Sequence, residues 1–262
     1  MTKIKICGIT SLEDAQVAVE AGVDLLGFIF YEPSPRYVAP ERVRDIVAGI
    51  REYVSSVKCQ VSGVKRQGLG IRGEETREGE EPLHNPTSHI PYPISQIQNP
   101  MFVGVFVNSP LETVAHTLEF CRLDMVQLHG EEPLEFVRWF EGRAFKALRP
   151  QSQAEAEETI RRYRPCHASA ALPCLLVDAY HPKLYGGTGR VTDWSLAASI
   201  ARRYPMMLAG SLTPANVAEA IRAVRPWGVD VSSGVEAEKG RKDHQKMRAF
   251  IEAVRSNGPV KE

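Results

Sequence analysis

The sequence predicts an α/β fold, a single closed (β/α)8 barrel, on three observations. Short apolar runs alternate with amphipathic helical segments along most of the 262 residues, the alternation yields eight units, and no GxGxxG follows the first run. Strand followed by helix, repeated, implies parallel strands joined by right-handed crossovers. Eight such units favour closure into a TIM barrel over an open doubly wound sheet, the runner-up, whose dinucleotide fingerprint is missing. Residues 1–262 then form one domain.

The first strand is KIKICG (3–8). Alternation puts Lys3, Lys5 and Cys7 on one face and Ile4 and Ile6 on the other. In a barrel the isoleucines face the helix layer, and the lysines and thiol face the interior, from bottom opening to mouth. SLEDAQVAVEAG follows, with Ser11 and Asp14 as a capping box and Gly22 as a C-terminal stop. DLLGFIF (24–30) leads into PERVRDIVAGI, where Val43, Ile46, Val47 and Ile50 share one helical face. FVGVFV (102–107) precedes SPLETVAHTLEF, in which Ser109, Pro110 and Glu112 signal a helix start.

DMVQLHG (124–130) leads into a helix near 132–141, and AFKALRP (144–150) into one near 152–163. PCLLVDAY (173–180) is followed by a Gly-rich loop and a helix from about Asp193. PMMLAGS (205–211) precedes a helix opened by Thr213-Pro214, with Val217, Ile221 and Val224 inward. WGVDVSSG (227–234) is the last strand, and Met247, Phe250, Ile251 and Val254 repeat at helical spacing after Asp243.

Residues 58–100 break the alternation. They are rich in Gly and Pro, carry balanced charge and show no sustained period. They read as an insertion between helix 2 and strand 3, an αβ connection at the bottom of the barrel and away from the catalytic face. The stretch around 166–173 reads as a smaller elongation on the same side.

Lysine plus arginine and aspartate plus glutamate are 32 each, so the net charge is zero. That balance speaks against a broad nucleic-acid or membrane surface. No apolar run approaches the ~20 residues of a membrane span, and the N-terminus has no basic region followed by an apolar one. Cys7, Cys59, Cys121, Cys166 and Cys174 are odd in number and lack CxxC spacing. A cytoplasmic chain without a disulfide framework is expected. No His/Cys/Asp set has metal-ligand spacing, and no cofactor is expected.

Active sites of such barrels lie at the C-terminal ends of the strands. Those ends carry Cys7, Arg36, Gln127, His129, Asp178, Gly210-Ser211 and Ser232-Ser233-Gly234. The small-residue turns after strands seven and eight expose backbone N–H groups in the corner where barrels commonly hold phosphate. GGTG (186–189) reads either as a flap, with Gly187 and Gly189 joining the phosphate donors, or as a flexible turn. Cys7 is either a buried thiol or a reactive base, which needs a nearby cation or helix N-terminus to lower its proton affinity. Asp178 closes the apolar strand CLLVD, as a cap or as a desolvated general acid. Arg36, in a loop stiffened by prolines, can grip a substrate carboxylate with two hydrogen bonds. His129 is either a ligand contact or a packed histidine. A base and an acid flanking one phosphate-anchored substrate suit isomerisation by proton transfer.

In this order KICGIT, GFIFYEPSPRYV, VGVFVN, VQLHG, LLVDAYHPKLYGGTGRVTDW, LAGSLTPANV and VDVSSGVEAEKGRKD resemble the phosphoribosylanthranilate isomerases of tryptophan biosynthesis. The resemblance implies an Amadori rearrangement of a small phosphoribosyl substrate. Asp178 would protonate the ring oxygen and Cys7 would remove the C2′ proton. Arg36 would hold the anthranilate carboxylate, the turns at Gly210 and Ser232–Gly234 the phosphate, and Asp230 would support that site or the sugar. The likeness departs where the family has two glycines after strand seven and this chain has Gly210-Ser211. If that position needs φ > 0, Ser211 costs ~1 kcal/mol. A lysine common before the arginine loop is here Pro33. Monomer and homodimer both stay open.

Two rival readings remain: a related phosphosugar isomerase of the ProFAR type, against which Cys7 stands, and a barrel that binds a phosphometabolite without catalysis. Lys5 also stays open. About 7 Å below Cys7 by strand rise, its ammonium would favour the thiolate, or it simply pairs with an interior carboxylate.

Overall fold

The structure, a computed structural model, describes residues 1–61, 97–150, 152–163, 172–178 and 194–256. Eight parallel strands close in chain order: β1 (Lys3–Cys7), β2 (Leu25–Ile29), β3 (Met101–Phe106), β4 (Met125–Leu128), β5 (Ala144–Leu148), β6 (Leu175–Asp178), β7 (Met206–Ala209) and β8 (Gly228–Val231). β1 pairs with β2 on one side and β8 on the other, which seals the ring. The crossovers carry α1 (Leu12–Glu20), α2 (Pro40–Val61), α3 (Leu111–Phe120), α4 (Leu134–Trp139), α5 (Gln153–Tyr163), α6 (Ser195–Ala201), α7 (Val217–Val224) and α8 (His244–Arg255). The closed (β/α)8 barrel read from the sequence is the fold observed.

Strand alternation separates two cores. Ile4, Ile6, Leu26, Phe28, Val126, Leu208 and Val229 point outward and pack under Val43, Ile46, Ile50, Val217 and Phe250 of the helices. Leu25, Val103, Met125, Phe145, Leu176 and Met207 point inward and plug the barrel. The expected facing of β1 is observed: both isoleucines are in the outer core and Lys5 is fully buried inside. Lys3 lies at the bottom rim, its ammonium 2.8 Å from Asp24.

Local chemistry starts most helices where the sequence suggested, with one shifted start, at α7. The Ser11 hydroxyl accepts from the Asp14 N–H at 3.1 Å, while the Asp14 carboxylate meets His244 at 2.8 Å. Asp243 accepts from both Gln245 and Lys246 N–H at 3.0 Å and so opens α8. α3 starts at Leu111, within the Ser109–Glu112 signal; Pro110 occupies the cap position, and no side chain caps the helix. α7 begins at Val217 rather than at Thr213-Pro214, because Asn216 Oδ1 takes the Thr213 N–H at 2.8 Å and holds a turn there. α2 runs to Val61, so 58–61 are helical rather than inserted. The rest of the 58–100 insertion through residue 96, the GGTG loop with Gly187 and Gly189, Asp193, and most of 166–173 lie outside the described residues.

The same turn feeds β2 and β4. Gly22 (φ 89°) and Arg122 (φ 54°) adopt left-handed backbone, and the aspartate two residues later takes a strand N–H. Asp24 accepts from Ile4 at 2.9 Å and Asp124 from Phe102 at 2.7 Å. Carboxylates thus cap the bottom ends of the preceding strands.

Candidate active site

The C-terminal strand ends surround a cavity of about 470 Å³. Cys7, Arg36, Gln127, His129, Asp178, Gly210, Ser211, Asp230, Ser232, Ser233 and Gly234 all line it, and so does Arg149, which sequence reasoning passed over. Eleven of the thirteen site residues read from the sequence therefore share one cavity; the other two, Gly187 and Gly189, lie outside the described residues.

β1 ends at Cys7 because Gly8 turns the chain with φ 72°, a left-handed conformation that glycine adopts without strain. The N–H groups of Gly8 and Ile9 both donate to the Gly27 carbonyl, at 2.9 and 3.0 Å. Gly27, beside Cys7 in the register, has a second use. A methyl there would lie 3.0 Å from Cys7 Sγ and from Lys5 Nζ, so its missing side chain makes room for both.

Lys5 donates to Asp230 Oδ1 at 3.0 Å and to Gln127 Oε1 at 2.9 Å. It therefore pairs with an interior carboxylate, one of the two readings left open. Burial disfavours its charge, yet Asp230 and Cys7 more than offset this and raise its proton affinity. Cys7 is also raised on balance. Burial pushes the thiol up, the Lys5 and Lys242 ammoniums pull it down, Asp230 pushes up again, and the net shift is upward. Burial thus favours the thiol over the thiolate at Cys7.

A second charged cluster stands behind Arg36. Its Nε and Nη2 donate to the two Glu236 oxygens at 2.6 and 2.7 Å. Lys242, with a fully buried side chain, reaches Glu236 Oε1 at 3.2 Å, the Cys7 carbonyl at 2.7 Å and the Ser232 carbonyl at 3.3 Å. Burial would raise the Glu236 carboxyl, but Arg36 and Lys242 outweigh it and hold it low. Burial lowers Lys242 more than Glu236 and Cys7 raise it. The bidentate pair occupies one edge of the guanidinium and leaves the Nη1/Nη2 end free for a second carboxylate.

Glu236 and Lys242 come from a feature missed in the sequence. After β8 a short 3-10 turn (Ser233–Val235) runs into a two-stranded hairpin, β9 (Glu236–Glu238) and β10 (Arg241–Lys242). The signal was the charge-rich EAEKGRK around Gly240, whose φ of 86° makes the hairpin turn.

The turns after β7 and β8 are locked together. A methyl on Gly234 would collide with the Leu212 carbonyl, so only glycine permits this approach. Gly210 and Ser211 both take positive φ, 100° and 51°. The position that departs from a glycine pair does need left-handed backbone, and a serine bears that strain here.

Across the mouth, the Gln127 amide meets His129 Nδ1 at 2.9 Å, and Arg149 Nη2 lies 2.7 Å from His129 Nε2. Arg149 Nε is 3.4 Å from Asp178 Oδ2. Burial, with Arg149, Lys5 and Lys146 adding positive charge, drives the His129 imidazole down to about 3, so it is neutral. On the outer face of β5, Lys146 pairs with buried Glu132 at 3.0 Å. Glu132 in turn accepts from the N–H groups of Asn108 (2.8 Å) and Gly130 (2.9 Å), which ties down the loops bearing His129. Among the described residues no group of three or more His, Cys, Asp or Glu side chains could hold a metal ion, and no helix is long and apolar enough to cross a membrane.

Residues 86–253 match the family model for N-(5'-phosphoribosyl)anthranilate (PRA) isomerase. The chain is 41% identical over 256 residues to the N-(5'-phosphoribosyl)anthranilate isomerase of Geobacter metallireducens, covering 98% of this chain and 100% of that one. It is 42% identical over 251 residues to that of Geobacter sulfurreducens, covering 96% and 97%. Among solved structures, phosphoribosyl anthranilate isomerase from Thermotoga maritima superposes with a TM-score of 0.70 at 34% identity, covering 98% and 100%. A phosphoribosyl anthranilate isomerase in complex with reduced 1-(o-carboxyphenylamino)-1-deoxyribulose 5-phosphate superposes at 0.67 with 32% identity, covering 98% and 100%. Likeness of this degree over the full length joins the barrel and its mouth to one conclusion: the chain belongs to the phosphoribosylanthranilate isomerase family of tryptophan biosynthesis.

Proposed function

We propose that this isomerase converts N-(5-phosphoribosyl)anthranilate to 1-(2-carboxyphenylamino)-1-deoxyribulose 5-phosphate with Asp178 as general acid and Cys7 as general base. Asp178 gives its proton to the furanose oxygen as the C1′–O bond breaks, and the anilino nitrogen supplies the electron pair that forms the Schiff base. Cys7 then takes the C2′ proton, and the C–H electrons flow toward the cationic nitrogen to give the enolamine. Tautomerisation yields the ketone.

The observation that carries this reading is that Cys7, Asp178, Arg36 and both small-residue turns line one cavity. β1 and β6 are three strands apart around the ring, so acid and base stand on different walls. The upward shift of Cys7 fits a base that ionises only when the cationic Schiff base is beside it. Arg36 holds the anthranilate carboxylate with the guanidinium end that Glu236 leaves free. Backbone N–H groups at Gly210, Ser211, Ser232, Ser233 and Gly234, with Gly187 and Gly189, bind the phosphate, and Gln127, His129 and Asp230 complete the sugar site. A relative's complex with a reduced carboxyphenylamino-deoxyribulose phosphate supports the same substrate class here.

The test is turnover with purified protein. Cys7→Ala and Asp178→Asn each lower kcat by roughly a hundredfold or more while circular dichroism stays native. Ordinary turnover in either variant removes the corresponding role.

A further inference from the structure

The polar line across the barrel dictates one protonation state, and that state leaves two donors facing each other. Lys5 is an ammonium with no acceptor, so Gln127 must turn its oxygen toward Lys5, as the 2.9 Å contact shows. The amide NH2 then points at His129 Nδ1, 2.9 Å away, and donates. A neutral imidazole that accepts at Nδ1 carries its proton on Nε2. Yet Arg149 Nη2, which can only donate, lies 2.7 Å from that same Nε2.

Burial decides which partner yields. Lys5 has no exposed surface and Gln127 is 1% exposed, whereas the Arg149 side chain is 67% exposed. Two donors converging on one point mark the place of an acceptor. Asp178, the proposed acid for the furanose oxygen, lies 3.4 Å from Arg149 Nε.

We infer that His129 Nε2–H and the Arg149 guanidinium form an acceptor subsite for a ribose oxygen of the substrate, with Lys5 and Gln127 as positioning residues that set the His129 tautomer. The identification of the oxygen rests on the role proposed for Asp178; the tautomer does not. Arg149 is thereby a substrate-binding residue, and its side chain leaves His129 when the sugar enters between them.

Full-length protein with ¹⁵N-labelled histidine provides the direct readout, using reduced 1-(o-carboxyphenylamino)-1-deoxyribulose 5-phosphate as the probe. The His129 nitrogen shifts are expected to report neutral imidazole protonated at Nε2 down to about pH 5. In Gln127→Met the Nδ1–H form becomes populated, a change that mere loss of packing does not produce. Adding the probe moves the Nε2–H proton of the parent. In turnover, Arg149→Met raises KM roughly tenfold with kcat within about threefold, and Arg149→Lys recovers part of the loss. A parent imidazole protonated at Nδ1 overturns the inference, as does an unchanged KM in Arg149→Met. Full turnover in Asp178→Asn, with the tautomer as expected, removes instead the proposed acid.

Discussion

Replacing Lys5 by methionine separates two effects that the buried ammonium exerts at once. The substitution keeps an unbranched side chain but leaves the Asp230 carboxylate, with a side chain only 10% exposed, without its cation. Breaking one partner of a buried pair costs about 3–5 kcal/mol, against a total stability of about 5–15 kcal/mol, so the variant folds with a lower urea midpoint. Since Lys5 holds its proton more tightly in the folded chain, this contribution is present throughout neutral pH and is lost only above the ordinary lysine range.

The second effect falls on Cys7. Since a methyl on Gly27 would lie 3.0 Å from both Cys7 Sγ and Lys5 Nζ, the ammonium is within about 6 Å of the thiol; at an effective dielectric constant of about 20 it stabilises the thiolate by about 3 kcal/mol, about a hundredfold in thiolate population at a given pH. Without Lys5, Cys7 meets the negative charge of Asp230 with only Lys242 to offset it. Iodoacetamide alkylation of Cys7, followed across pH by mass spectrometry of its peptide, should therefore move to higher pH in Lys5→Met. In Lys5→Met/Asp230→Asn both charges are gone, so the displacement is smaller and part of the stability returns. An alkylation profile in Lys5→Met that matches the parent, or lies at lower pH, refutes the electrostatic account.

Ser211→Gly relieves left-handed strain of about 1–2 kcal/mol and loses about 0.4–1 kcal/mol to the freer unfolded chain. A net gain of about 1 kcal/mol, or a Tm rise of about 2–4 °C, is expected in a thermal melt; a lower Tm counts against strain at this turn. Glu236→Gln leaves Arg36 and Lys242 without a counter-charge and costs about 3–5 kcal/mol at neutral pH. Because the Glu236 carboxyl is held below its ordinary value of 4.5, its contribution is present above that pH and lost as pH falls through the folded value. Urea unfolding of parent and variant should converge in acid, and a gap that stays constant there rejects the assignment.

Much of the barrel is written locally. The alternation of β1 alone separates Ile4 and Ile6 from Lys5 and Cys7, and its Cys-Gly ending marks where the chain must turn at the mouth. Ser11 and Asp243 start their helices by accepting N–H groups only two or three residues away, so neighbours in sequence suffice to see them. The same locality explains the miss at α7. There Asn216, rather than Thr213-Pro214, supplies the entry geometry, and several residue types compete for the same N–H groups.

Strand ends could also be read as a list of candidates, because parallel closure brings every C-terminal end to one face whatever the side chains are. What no local pattern holds is the partner of each charge. Lys5 finds Gln127 and Asp230 across separations of 122 and 225 residues, and Arg36 finds Glu236 across 200. Whether Arg149 is a surface arginine or part of the mouth likewise depends on which strand the ring sets beside β5. Periodicity and turn chemistry act within a few residues and determine the elements. The protonation of Cys7 and the tautomer of His129 depend on charges over a few ångströms, and only the closed barrel decides which residues those are.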